Sequence, residues 1–517
     1  MKLRLDGHSA VTAAELEAVA RGAAEVTPGP DARAWLKRSR DVLEACVASG
    51  ARIYGVTTGY GPLATTHVGP ELSRQLQTNL VYHLATGVGP LLSAPQARAI
   101  LAARLINLMR GCSAVRFEAV ALIIDVLNRG EAPAIPSLGT VGASGDLTLL
   151  AHMALALMGE GEFLADGGGT RDAAAVLRGH GLEPLRLAEK EGLALVNGTS
   201  AMTGMAALND VRARRLADWL LRLAVLFAEV MVGRSAAWSA RVGEVRPHPG
   251  QLRVHERLAA LTRGSRRLRS EPDARIHAQA LSQGVALDQE ILQDPYTLRC
   301  VPQIFGAVED VLTFHGQIVE TELNAVTDNP LFDPETGSVI HGGNFYGQHV
   351  AFASDALVNA ITKLAIWAER ALARVTDVTL NRGLPPFLQP RQPGLQSGFM
   401  GAQVTASALV AEMRQKAAPA SVQSIPTNAN NQDVVSMGTL GALKASQLLD
   451  RLSEVAAILA LALAQAYELR DDAEGFSPHS ASLVQQVRQR VPPLGDDRPM
   501  RRDIMALAHV LRERDPK

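Results

Sequence analysis

Pro136-Ser137-Leu138-Gly139-Thr140-Val141-Gly142-Ala143-Ser144-Gly145-Asp146-Leu147 is the stretch on which the reading of this chain turns. It is a glycine-rich turn that runs straight into an apolar segment, Leu147 to Met158. Glycines let a backbone take conformations closed to other residues. Asp146 stands where a helix N-cap would, and Leu149-Leu150-Ala151-His152-Met153-Ala154 reads as buried helix.

Such a turn permits an unusual reaction. Bent tightly, it brings the amide nitrogen of Gly145 toward the carbonyl carbon of Ala143. Attack and dehydration close a five-membered ring, and loss of the Ser144 hydroxyl leaves an exocyclic methylene. Glycine suits the attacking position because no side chain blocks the approach, and serine is needed because it can eliminate water. The product is an electrophile able to take up an amine. The tripeptide alone is weak evidence, since Ala-Ser-Gly arises by chance in roughly one chain in five of this length. The chain contains a second copy, Ala48-Ser49-Gly50, which follows a helical pattern and reads as an ordinary helix end.

The context of Gly142-Ala143-Ser144-Gly145-Asp146-Leu147 resembles the aromatic amino acid ammonia-lyases and aminomutases, whose prosthetic group is 4-methylideneimidazol-5-one (MIO). The resemblance recurs, in family order, at Tyr54-Gly55-Val56-Thr57-Thr58-Gly59-Tyr60-Gly61, Val196-Asn197-Gly198-Thr199, Arg246-Pro247-His248-Pro249-Gly250-Gln251 and Asp294-Pro295-Tyr296-Thr297-Leu298-Arg299. It continues at Asn324-Ala325-Val326-Thr327-Asp328-Asn329-Pro330, His341-Gly342-Gly343-Asn344-Phe345 and Asn431-Gln432-Asp433. One departure is visible: Leu149 stands where the family usually has proline. That alters the first helical turn and leaves the ring-forming atoms untouched.

Composition sets the bounds. The chain has 517 residues, 47% of them hydrophobic, which is ample for a large core and too long for one small domain. A net charge of -1 provides no global field for nucleic acid or membrane. Cys46, Cys112 and Cys300 are widely spaced and odd in number, so neither a disulfide framework nor a metal cluster is expected. Met1 to His8 lacks an apolar signal core, and Val455 to Ala466 is too short to span a bilayer; the expected setting is the cytoplasm.

The expected fold is mainly α. Helices are predicted at 13–20 and 31–47, within 69–90 and 94–129 (the latter broken near Gly111), and over 200–233, with Arg212, Arg214 and Arg215 as a solvated face. Residues 160–195 read as an exposed excursion and 240–300 as irregular and polar. Long helices follow over 301–325, 347–378, 398–416 and 432–469; in the last, Val435, Leu440, Leu443, Leu448, Leu452, Val455, Leu459 and Leu463 recur at helical intervals. Helices of this length need flanking partners, which argues for a bundle. The resemblance implies the fumarase/aspartase-like type, divided as an N-terminal domain with the MIO loop over 1–199 and a bundle over 200–517.

On their own, the polar candidates have ordinary readings beside functional ones. Tyr54 could be a packed surface aromatic, His83 a satisfied helix histidine, Arg299 a structural ion pair, and Asn197 and Asn329 turn residues. The resemblance assigns roles. Ala143, Ser144 and Gly145 supply the MIO, with no metal or dissociable cofactor. Tyr54 matches the catalytic base and Tyr296 a second tyrosine near the ring. Arg299 matches a carboxylate clamp, a role suited to a guanidinium fork, and Asn329 supports it. Asn197, Asn431 and Gln432 match positions lining the ring and the amino group.

The family's selectivity position falls at His83-Leu84, the pair typical of its tyrosine-specific members. A histidine can hydrogen-bond a phenol hydroxyl, and a buried polar group discriminates strongly against a substrate lacking it. Gln432 stands where the histidine-specific members carry glutamate. The implied reaction is deamination of L-tyrosine to trans-p-coumarate and ammonia. A tyrosine 2,3-aminomutase giving β-tyrosine, or a lyase acting on phenylalanine or histidine, is the alternative. A rival of another class is a non-catalytic helical assembly protein that kept the fold, which an intact Ser144 would support; a fumarase-like lyase ranks low, since no Gly-Ser-Ser loop is present. Family precedent implies a homotetramer with shared active sites.

Overall fold

A computed structural model of the chain describes residues 1–269, 292–470 and 473–516. Residues 270–291 of the expectation for 240–300 therefore lie outside the described residues, and Pro249–Leu261 is a helix where an irregular chain was expected. The elements are overwhelmingly helical, and the described strands form four two-stranded sheets.

The chain forms two compact units. The first comprises Met1–Val211, Phe314–Ala356 and Pro419–Ser446; the second comprises Arg212–Thr313, Leu357–Ala418 and Gln447–Lys517. This differs from a sequential cut at 199/200, because two later segments return to the N-terminal unit. The divisions fall close to or inside four long helices, Ser200–Val230, Val301–Leu323, Gln348–Thr376 and Gly438–Glu468. At 31 residues the first and last of these each extend about 46 Å. The helix Gly438–Glu468 is buried on every side from Leu452 to Ala466, the condition of a helix that is apolar all round inside a large core. Of its expected core positions, Leu440 is exposed. The helix Gln348–Thr376 is long and apolar enough to cross a membrane, yet most of its apolar stretch is buried in protein, as in a core helix.

Within the first unit, three helices matter most: α1 (Ser73–Leu84), α2 (Leu147–Leu157) and α3 (Glu191–Val196). They pack on one another in pairs. The buried side chains Leu80, Val81, Leu149, Leu150, Met153, Leu193, Leu195 and Val196 belong to one core cluster. The segment 160–195 is thus only partly an excursion. Gly167, Gly168 and Gly169 are exposed at a hairpin tip, whereas every residue of α3 is buried. The second copy of the tripeptide does end a helix, with Gly50 at φ +76°.

Asp146 occupies the N-cap position of α2 but does not bond its first turn. Its carboxylate instead accepts the Met202 N–H at 2.8 Å, in the first turn of Ser200–Val230, and the Thr439 hydroxyl. The N-cap expectation was right about position and wrong about which helix is capped. The arginine face is also not simply solvated. In the second unit Arg212 pairs with Asp450, Arg214 donates to the Leu312 carbonyl, and Arg215 reaches Asp515 at 3.0 Å.

Lys190, at the N-terminal end of α3, is fully buried in a left-handed conformation at φ +72°. Its Nζ lies 2.7 Å from Oδ2 of the equally buried Asp328. Breaking one half of a buried pair strands the other charge. Lys190→Met should lower the unfolding free energy by about 3–5 kcal/mol, measured by denaturant titration, and Lys190→Met/Asp328→Asn should recover much of that loss.

Candidate active site

Residues from six separate stretches of the first unit line a cavity of about 680 Å³. Loop 51–61 contributes Tyr54, Tyr60 and Gly61. Helix α1 contributes Leu80, His83 and Leu84, the loop before α2 contributes Ala143 and Ser144, and α3 leads into Asn197. Asn329, Phe345 and Tyr346 come from the stretch 329–346, and Asn428, Asn431, Gln432 and Asp433 from the last.

The glycine loop is held from two sides. Gly142 and Gly145 sit at φ +73° and +72°, the left-handed region that favours glycine. A Cβ on Gly145 would collide with the carbonyl of Gly198, and one on Gly142 with the Ser436 hydroxyl. Gly145 and Gly198 form a parallel bridge: Asp146 N–H donates to Gly198 O at 2.8 Å, and Gly198 N–H to Ser144 O at 3.3 Å. On the other side, Met437 N–H donates to Val141 O at 3.0 Å and the Ser436 hydroxyl to Gly142 O at 3.1 Å.

Ser144 receives two amide side chains. Asn197 Nδ2 donates to its carbonyl oxygen and Gln432 Nε2 to its hydroxyl, each at 3.3 Å. The Thr427 hydroxyl donates to Gln432 Oε1 at 2.7 Å, which orients the amide. Asn197 is buried, and its Oδ1 has no partner among the described residues. The backbone at Gly145 and the donors around Ser144 therefore suit a ring built from Ala143, Ser144 and Gly145.

Tyr54 faces the same cavity, and Gly61 N–H donates to its phenol oxygen at 2.8 Å. Its ring meets Tyr60 edge-on, with centroids 6.2 Å apart. Burial pushes the Tyr60 phenol well above the usual tyrosine range, so Tyr60 stays protonated. The buried Gln77 of α1 ties this loop to α3: Nε2 donates to Gly55 O at 2.8 Å, and Oε1 accepts Leu193 N–H at 2.9 Å.

His83 lines the cavity and is exposed, not buried as a strongly discriminating polar group would be. Its Nδ1 lies 3.1 Å from the Asn79 carbonyl. A carbonyl only accepts, so Nδ1 carries the hydrogen, and in the neutral ring Nε2 is left as an acceptor. Asn329 Oδ1 accepts Gly342 N–H at 2.7 Å. Leu84 and Asn431 line the wall as well.

Tyr296 and Arg299 belong to the second unit and do not line this cavity. Tyr296 is 69% exposed, the Arg299 guanidinium stacks 5.0 Å from its ring centroid, and Arg299 Nη1 donates to Gln293. Sequence reasoning left out Leu80, Leu147, Leu193, Tyr346 and Val434. The three leucines sit on buried helix faces, where periodicity marks a core position and cannot say that one edge of it meets a cavity.

Beneath the loop, Asp146 is fully buried, and burial is the main cause that pushes its carboxyl up to about 6. A raised carboxyl pKa means that the folded state holds the proton more tightly than the unfolded one. Its stabilising effect is complete below the unfolded value of 3.8 and is lost as pH rises through about 6. Relative to Asp146→Asn, which does not titrate, the wild type should lose about 2 kcal/mol of unfolding free energy between pH 4 and pH 7. Parallel denaturation curves at several pH values check this; a constant difference contradicts it.

Comparison with known proteins agrees with this geometry. The family model "aromatic amino acid lyase" matches residues 11–489. A tyrosine ammonia-lyase of Cereibacter sphaeroides is 50% identical over 99% of this chain and 98% of its own length. An MIO-dependent tyrosine 2,3-aminomutase of Streptomyces globisporus is 42% identical over 98% of this chain and 94% of its own. The crystal structure of a tyrosine aminomutase from that organism superposes with a TM-score of 0.94 at 41% identity, covering 99% of this chain and 97% of the other. The helical architecture is thus that of the solved MIO enzymes, and the chain belongs to the aromatic amino acid lyase family.

Proposed function

We propose that this protein removes ammonia from L-tyrosine without oxidation, releasing trans-p-coumarate. The observation that carries the reading is the convergence of Tyr54, Ser144, His83 and Gln432 on one cavity. The tyrosine ammonia-lyase relatives, at 50% and 43% identity over nearly the whole chain, support the substrate.

Ala143, Ser144 and Gly145 fit an MIO group. Its formation joins the Gly145 nitrogen to the Ala143 carbonyl carbon with loss of two waters, one from that carbonyl and one from Ser144. When present, the group supplies an electrophile that takes up the substrate amine and makes it a better leaving group. The remaining work falls to the chain's own side chains. His83 Nε2 accepts the hydrogen of the substrate phenol and so fixes the ring end of the substrate. Tyr54 Oη takes the β-proton, and its contact with Gly61 N–H holds the oxygen in place during the transfer. Asn197 and Gln432 orient the amine end beside Ser144.

Among the described residues, no arginine lines the cavity of the first unit for the substrate carboxylate. Arg299, with Tyr296 beside it, is the proposed clamp, contributed from another copy of the chain in a homotetramer. The exposure of Tyr296 is consistent with a surface that is completed by assembly.

Incubation with L-tyrosine, L-phenylalanine and L-histidine, followed by chromatographic identification of the products, tests the reading. The highest kcat/KM should belong to L-tyrosine, with p-coumarate as product; accumulation of β-tyrosine instead would assign the aminomutase reaction. The wild-type intact mass should fall two waters below that calculated from its sequence, whereas Ser144→Ala should show its full calculated mass and turnover at background. His83→Phe should shift the tyrosine-to-phenylalanine preference by about a hundredfold or more, and an unchanged ratio removes His83 from substrate selection.

A further inference from the structure

A second histidine, His152, sits outside the cavity and none of the roles above uses it. It lies in α2, five residues beyond Leu147. Its Nε2 accepts the backbone N–H of Gly87 at 3.0 Å. An accepting ring nitrogen carries no hydrogen, so the neutral ring is protonated on Nδ1. Burial pushes the His152 pKa down, which favours the same neutral form.

Gly87 is where three pieces of the site meet. It follows α1, whose last residues are His83 and Leu84. Thr86 N–H donates to Leu84 O at 2.8 Å, and the next amide goes to His152. The residue after Gly87, Val88, pairs with Leu138, which immediately precedes Gly139 of the glycine loop. A Cβ on Gly87 would stand 3.0 Å from His152 Nε2 and 3.3 Å from Leu138 O, and one on Gly139 would stand 3.1 Å from Gly87 Cα. Among the described residues no backbone carbonyl takes the Gly87 N–H; a side chain rooted in the helix behind Ser144 does.

We propose that His152 is a positioning residue for substrate selection: through Gly87 it sets the C-terminal end of α1, and with it His83 and Leu84, relative to the loop that carries Ser144. It touches no substrate atom. The effect is strongest for a substrate that must place a polar group against His83 Nε2. Naming that substrate as L-tyrosine rests on the function proposed above.

The test compares His152→Leu and His152→Phe, which abolish the acceptor, with His152→Gln, whose Oε1 retains one. Hydrogen exchange followed by mass spectrometry reads the amides of residues 85–91 without reference to activity. The apolar variants should exchange about tenfold faster there, with residues 200–230 unchanged, and His152→Gln should restore slow exchange. In steady-state assays the apolar variants should lose about tenfold in kcat/KM for L-tyrosine, carried mainly by KM, and under threefold for L-phenylalanine. His152→Gln should recover the ratio.

Unchanged exchange at 85–91, an equal fall for both substrates, or no recovery in His152→Gln overturns the proposal. Failure of both apolar variants to fold, beside a His152→Gln of altered selectivity, overturns it too. If the wild type instead prefers another aryl amino acid, the tyrosine assignment fails alone. The exchange result and the change in substrate ratio still decide the role of His152.

Discussion

Two glycines pressed backbone to backbone, Gly145 and Gly198, are the constraint on which the site depends. Their approach leaves no volume for a side chain at Gly145. It also brings two segments, 53 residues apart at Ser144 and Asn197, within hydrogen-bond reach. A loop free to relax would satisfy its amides with water and gain nothing from bending. Here Asp146 N–H and Gly198 N–H are already committed across the bridge, so the left-handed turn is fixed by its surroundings rather than by its own propensity.

The bridge rests on buried charge. Asp146 holds the first turn of Ser200–Val230, the helix that begins just after Gly198, so loop and helix are tied through one carboxylate. Nearby, Arg104 is fully buried and feels both Asp328 and Asp146; desolvation pushes it down to about 10. Its Nη1 reaches the Ser200 hydroxyl at 3.4 Å. Lys190 and Asp328 form a pair next to Asn329, and Asp328 Oδ1 accepts Asn329 N–H at 2.7 Å. The charges under the cavity thus bind its walls together. Such networks are costly to leave half satisfied, which makes the geometry they enforce narrow.

The cavity divides its tasks by distance along the chain. Its apolar side comes from helix faces, Leu80, Leu147 and Leu193, which are rigid because each helix is packed on the other two. Its polar side comes from loops and chain turns that the same helices support. Gln77 shows how the two are joined: one buried amide on α1 fixes both the Tyr54 loop and α3. The tyrosine pair illustrates division by environment. Tyr60 is half-buried and held protonated, while Tyr54 keeps its oxygen at the cavity, with one backbone donor.

Much of this was legible in the residues. Ala143-Ser144-Gly145 can condense because of what those three residues are, and apolar periodicity marks long helices without knowledge of their partners. Tyr54, His83, Asn197, Asn329, Asn431 and Gln432 were all named from the sequence and all line one cavity. Other features depend on neighbours distant in the chain. Asp146 looks like a cap for the helix that follows it, yet bonds a helix that starts 54 residues later, because the buried carboxylate takes the nearest unsatisfied amides in space. Arg212 looks solvated until Asp450 is beside it. The role of Gly87 is invisible in sequence, since its amide partner is a side chain 65 residues away. The sequence by itself determined the chemistry available and the helical class, because both follow from covalent structure and local periodicity. Only the tertiary structure decided which polar groups meet, because hydrogen bonds and burial are properties of pairs, and most of these pairs are far apart in the chain.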